Sequence, residues 1–169
     1  MSGTQGDLAA VEARRHLVFG WWCLLIFLTL GLVLEALHGF KVRFYLDVDH
    51  STRRLLWTLA HAHGTLLALV NLAFAFTVDR VTWPAALLRL ASRCLLAAAI
   101  LMPLGFFLGG WDIHGGDPGY GIVLVALGGL ILLVGVLATA RAVAFPPRSA
   151  EGAEAGPAGK KGKAGKKTR

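Results

Sequence analysis

Residues 55–78 read LLWTLAHAHGTLLALVNLAFAFTV, 24 residues without one charged side chain. A helix rises about 1.5 Å per residue, so about 20 residues cross a hydrocarbon core of roughly 30 Å. Helices buried in soluble domains are shorter, so a run of this length reads as a membrane span. Three further runs share the property. Residues 17–34 and 94–111 hold 18 uncharged positions each, and residues 118–140 hold 23.

The composition agrees. Of 169 residues, 56% are hydrophobic and only 16% charged, against about 25% charged in an ordinary soluble domain. That excludes a typical soluble fold and a wholly disordered chain. Two cysteines exclude a disulfide scaffold and a four-cysteine zinc site, and Cys23 and Cys94 read as packing thiols. No nucleophile–base pair, phosphate loop or dinucleotide fingerprint is present.

The expected fold is therefore an all-α integral membrane protein, an up-down bundle of four helices near 17–38, 54–78, 86–110 and 119–142. Residues 1–13 read as a disordered N-terminus, 14–147 as the membrane domain, and 148–169 as a disordered tail rich in Lys, Gly and Ala. Trp21, Trp22, Trp57, Trp83, Trp111 and Tyr120 fall near span ends, where amphipathic rings prefer the headgroup level. Small residues mark expected helix seams: Gly121, Gly128 and Gly135 in span four, and Ala60, Gly64 and Ala68 in span two. With both termini inside, 13 of the 17 Lys and Arg fall on the inner side. The positive-inside rule then places both ends in the cytoplasm, most simply at a bacterial inner membrane. The tail lysines could meet anionic lipid. Specific nucleic-acid binding is not expected.

This topology gathers five of the six histidines on the outer side: His38, His50, His61, His63 and His114. Glu35, Asp112 and either Asp47 or Asp49 could join them. At about 100° per residue, His61 shares a small, polar arc with Gly64, Thr65, Ala68 and Asn71. His63 lies about 200° away, beside Leu59, Leu66 and Val70, so the two cannot hold one ion together on a straight helix. Glu35 and His38 share a face. One Glu-x-x-His alone does not make a di-iron site, which needs two such pairs and further glutamates. His38, His114, Glu35 and Asp112 remain candidate metal ligands at the outer edge.

The segment Leu59-Ala60-His61-Ala62-His63-Gly64-Thr65-Leu66-Leu67 resembles the His-x-His helix of small bacterial multi-span proteins distantly related to the catalytic subunit of heme-copper oxidases. In that superfamily a second-helix histidine is an axial heme ligand. The resemblance implies His61 or His63 as the ligand of a heme b or a copper ion. The chain departs from the pattern in having no central histidine on any other span. Neither a second axial ligand nor a three-histidine copper site is available in the bilayer core. Oxidase activity is not implied; a heme or copper near the outer surface, between subunits, is the most that follows.

Three functions fit these residues. The first is a structural or accessory subunit of a membrane complex, with no catalysis of its own, partnered by lipid and by other membrane subunits or itself. The second is a heme- or copper-binding redox protein. The third is a small proton-coupled carrier acting as an oligomer.

Overall fold

The computed structural model describes residues 2–46 and 51–145, with side chains from Gln5 onward. Asp47, Asp49, His50 and the basic tail lie outside the described residues. The elements in chain order are α1 (Ser2–Gly39), α2 (Arg43–Leu46), α3 (Ser51–Val78), α4 (Ala85–Trp111), a 3-10 turn (Tyr120–Ile122) and α5 (Val123–Ala144). The four long helices have the length and hydropathy to cross a membrane. α4 runs unbroken through Pro103.

The first helix corrects the sequence reading. It begins at Ser2, where residues 1–13 read as disordered. Its early turns carry Ala9, Ala10 and Ala13, strong helix formers. They also have a surface to bury. Leu8, Ala9 and Ala13 pack into a cluster with Phe74, Val78, Trp83 and Leu88, at the connection between α3 and α4. The Gln5 side-chain amide donates to the carbonyl of Trp83. The 38 residues of α1 thus reach about 57 Å.

α1 ends in a Schellman turn. The Val42 amide donates to the carbonyl of Leu37 at 3.0 Å, and Lys41 to that of His38 at 3.1 Å. This geometry demands a left-handed residue, normally glycine, and here Lys41 takes it at φ 52°.

Consecutive long helices run antiparallel and pack side by side, as short connections require. The expected bundle does not close, however. α1 lies along α3, α3 along α4 and α4 along α5, and α1 touches α4 only briefly. α5 forms no seam with α1, so the four helices make a row. Burial follows: 44% and 56% of the spans in α3 and α4 are buried, against 17% in each of α1 and α5. One end of the row carries the α3–α4 connection and is called the base here. The other carries the α1–α3 and α4–α5 connections and is called the crown.

The seams use the small residues expected of them. A Cβ on Gly128 would lie 2.6 Å from Met102 Cγ, and one on Gly135 would lie 3.1 Å from Cys94 Cβ. That stripe therefore lets α5 approach α4 closely. On α3, Ala60 and Ala68 are buried.

The crown is held by aromatic rings and one arginine. Trp57 is buried, stacks on Phe107 at 5.2 Å between centroids, and donates its indole N–H to the Phe107 carbonyl at 3.1 Å. Arg53, also buried, donates Nε to the Gly110 carbonyl and Nη1 to the Phe44 carbonyl, each at 3.1 Å, and lies 4.2 Å over the Phe44 ring. It joins α2, α3 and α4. Gly110 sits in the last turn of α4, where unpaired carbonyls favour a cation. Trp57 and Trp83 are thus core residues, whereas Trp21, Trp22 and Trp111 are exposed at 64%, 62% and 59%.

Candidate functional site

Two polar sites lie between the helices. The first is a groove of about 920 Å³ between α1 and α3 toward the crown, lined by Leu28, Leu32, Leu55, Glu35, His38, Arg54 and His61 among others. Its floor is set by a close approach. His61 rests against Gly31, where a Cβ would come 2.5 Å from the ring's Cε1. The His61 Nδ1 lies 2.7 Å from the Phe27 carbonyl. A carbonyl can only accept, so Nδ1 carries the proton, and the neutral ring keeps its lone pair on Nε2. That tautomer suits a ligand histidine, whose other ring nitrogen commonly donates to a carbonyl.

The remaining candidates are dispersed. His63 lies on the opposite side of α3, as the helical angle requires. Its Nδ1 donates to the Leu59 carbonyl of its own helix at 2.9 Å, and its ring lies 4.7 Å from that of Phe106 on α4. This face is in part a seam, because α3 has a neighbour on each side. Asp112 and His114 are 3.7 Å apart and exposed in the α4–α5 connection. A tight turn sets them there: His114 and Asp117 exchange backbone hydrogen bonds around Gly115 and Gly116, both at positive φ. So Glu35, His38 and His61 share the groove, while His63, His114 and Asp112 lie elsewhere. The described outer residues do not form one cluster. Among the described residues, no three His, Cys, Asp or Glu side chains come together as a metal ion would need.

The second site was missed in the sequence. Near the base, four side chains from three helices form a buried chain of contacts. His16 on α1 has Nδ1 2.7 Å from Asn71 Oδ1 on α3 and Nε2 2.9 Å from Ser92 Oγ on α4. Ser92 Oγ is 2.6 Å from Glu12 Oε2, one turn back on α1. His16, Asn71 and Ser92 are fully buried and Glu12 is 8% exposed. The Asn71 Nδ2 donates to the Leu67 carbonyl at 2.8 Å, which turns Oδ1 toward the histidine. The Phe74 ring closes one side, 4.5 Å from His16 between centroids. Asn71 and Ser92 each lie seven residues from their helix ends at Val78 and Ala85, about 10 Å deep.

One signal for this site was present. Asn71 is the single amide in the uncharged run 55–78, and a buried amide needs a partner. Its partner was hidden because His16 lies just ahead of the uncharged run 17–34 and Glu12 within residues that read as disordered. Against protein-family models, curated proteins and solved structures, the chain has no match.

Proposed function

We propose that the chain is a four-span integral membrane protein of a bacterial inner membrane, with both termini in the cytoplasm. In this reading it serves as a structural or accessory subunit of a membrane complex, without catalysis of its own. The observation that carries it is the open row. α1 and α5 each pack along one long helix, α3 and α4 respectively, and leave broad apolar faces uncovered, with Leu32 72% exposed and Leu130 66%. Lipid covers such faces, and so do the helices of another subunit. The buried polar groups bridge helices: Arg53 joins α2, α3 and α4, and the His16 chain joins α1, α3 and α4.

Phosphatase and fluorescent-protein fusions at positions 47, 84, 116 and 160 test the topology and are expected to report out, in, out and in. Native electrophoresis after mild solubilisation from the source membrane tests the role. The chain is expected in an assembly that contains other polypeptides. Recovery solely as a monomer or homo-oligomer contradicts the accessory role, and a periplasmic signal at 160 contradicts the topology.

A second reading rests on His61. Its tautomer leaves Nε2 available in the groove that Glu35 and His38 also line, so His61 is the residue that would hold a heme b there. The donor set does not fit a three-histidine copper site. A Soret band that His61→Leu abolishes and His63→Leu retains supports heme at His61; protein purified without any heme absorbance removes that reading.

A further inference from the structure

We propose that Glu12, Ser92, His16 and Asn71 form a buried site that binds one proton and passes it between the glutamate and the histidine through the serine hydroxyl. The inference is independent of the accessory role. It follows from counting hydrogens. The chain has three contacts, Glu12–Ser92, Ser92–His16 and His16–Asn71, at 2.6, 2.9 and 2.7 Å. Each needs one hydrogen between its two heavy atoms. Asn71 supplies none, because its amide N–H₂ is committed to the Leu67 carbonyl and Oδ1 can only accept. The hydrogen of the His16–Asn71 contact therefore sits on Nδ1.

Ser92 has one hydroxyl hydrogen for two contacts. If Glu12 is ionised and His16 neutral, one contact faces two lone pairs across less than 3 Å. One added proton repairs this, and it can sit in either of two ways. Glu12 carries it, donates to Ser92 Oγ, and Ser92 donates to His16 Nε2. Alternatively Glu12 is ionised, Ser92 donates to Glu12, and Nε2–H donates to Ser92, so the imidazole is a cation. Passage from the first state to the second moves the Glu12 proton to Ser92 Oγ and the Ser92 proton to Nε2. No heavy atom has to move far, and the site is neutral overall in both states. Neutrality matters where burial penalises a net charge.

The charged surroundings are few. On α1, Arg15 Nη1 lies 3.5 Å from Glu12 Oε2, with its side chain half exposed. α3 presents Asn71 and Phe74, both uncharged. α4 presents Ser92, while its neighbours Arg89 and Arg93 are exposed.

Two measurements on the full chain in lipid nanodiscs test the proposal. The first uses the wild type at pH 7, with nitrogen NMR of the His16 ring and infrared detection of a protonated Glu12 carboxyl, assigned with Glu12→Gln. A protonated carboxyl or a His16 imidazolium is expected. An ionised Glu12 beside a neutral His16 overturns the site. The second reads the unfolding equilibrium between pH 7.5 and 8.5, where an unfolded glutamate holds no proton and an unfolded histidine less than about a tenth of one. The native site holds one, so stability falls as pH rises, tenfold in the folding equilibrium per pH unit. Glu12→Gln replaces the mobile proton by a fixed amide hydrogen, so its slope is expected to be one proton shallower. The difference between the two proteins is what is read, which cancels other titrations. Equal slopes overturn the proposal. If Glu12→Gln does not fold, the wild-type spectra still decide.

Discussion

Gly31→Ala probes the floor of the α1–α3 groove with one added methyl group. That carbon would lie 2.5 Å from His61 Cε1, 2.9 Å from Nδ1 and 3.0 Å from Nε2, so the ring must move. The ring is tied by its Nδ1 to the Phe27 carbonyl, on the same helix as the new methyl. Retreat from that methyl therefore strains or breaks the bond. Overpacking costs about 1–3 kcal/mol, and the weakened hydrogen bond adds about 0.5–1.5 kcal/mol. Better helix propensity returns about 1 kcal/mol. A net loss of about 1–3 kcal/mol is expected in an unfolding equilibrium in mixed micelles. Gly129→Ala on α5 is the control, since nothing lies within 4 Å of its Cβ, and it should be neutral or slightly stabilising. Truncating the ring removes the clash, so Gly31→Ala with His61→Ala should cost about 1–2 kcal/mol less than the two singles summed. A Gly31→Ala protein as stable as wild type, or singles that simply add, would refute the close approach.

The other predictions concern the crown and α3. Arg53→Met removes two charge-assisted bonds to the Gly110 and Phe44 carbonyls; even with the buried charge relieved, a loss of about 2–3 kcal/mol is expected in the same assay. Arg53→Lys should recover little, because a single ammonium cannot span both acceptors as the guanidinium fork does. Lys41→Gly should stabilise by about 0.5–1 kcal/mol, since the left-handed turn at φ 52° disfavours a side chain; an unchanged midpoint would show that α1 ends differently. His61→Leu should cost more than His63→Leu, by about 1–2 kcal/mol, because His61 bonds across to α1 and His63 only to its own helix. The reverse order in denaturant midpoints would place the critical contact on the α4 side.

The helices were legible in the sequence because length without charge is a one-dimensional property. The glycine spacing 121, 128, 135 named a true seam for the same reason: a helical face can be read by counting residues. The angle between His61 and His63 was likewise countable, and they do point to different neighbours. Which neighbour each meets was not countable. It depends on α3 lying inside a row, a fact about helix order in space. The start of α1 was misread because charge was used to mark its limit. Glu12 is charged in the sequence and yet buried, since Ser92 reaches it from α4 and Arg15 from the next turn of α1. A partnered acid deep in a fold looks like a solvated one until the partner is known. The same reasoning covers Trp57, which reads as an interfacial ring and is buried under Tyr45 and Phe107.

The order of helices in the row, α1, α3, α4, α5, is the order in which they are synthesised. Each long helix therefore finds its packing partner already made when it emerges, and none waits for a later arrival to occupy a gap. The Glu12–Ser92–His16–Asn71 chain is complete once α4 is in place, because α5 contributes nothing to it. The same holds for the arginine bridge from Arg53 to Gly110 and Phe44. A nascent chain stopped before residue 118 would thus already possess both polar clamps, and α5 would join by adding its glycine stripe to a finished three-helix unit.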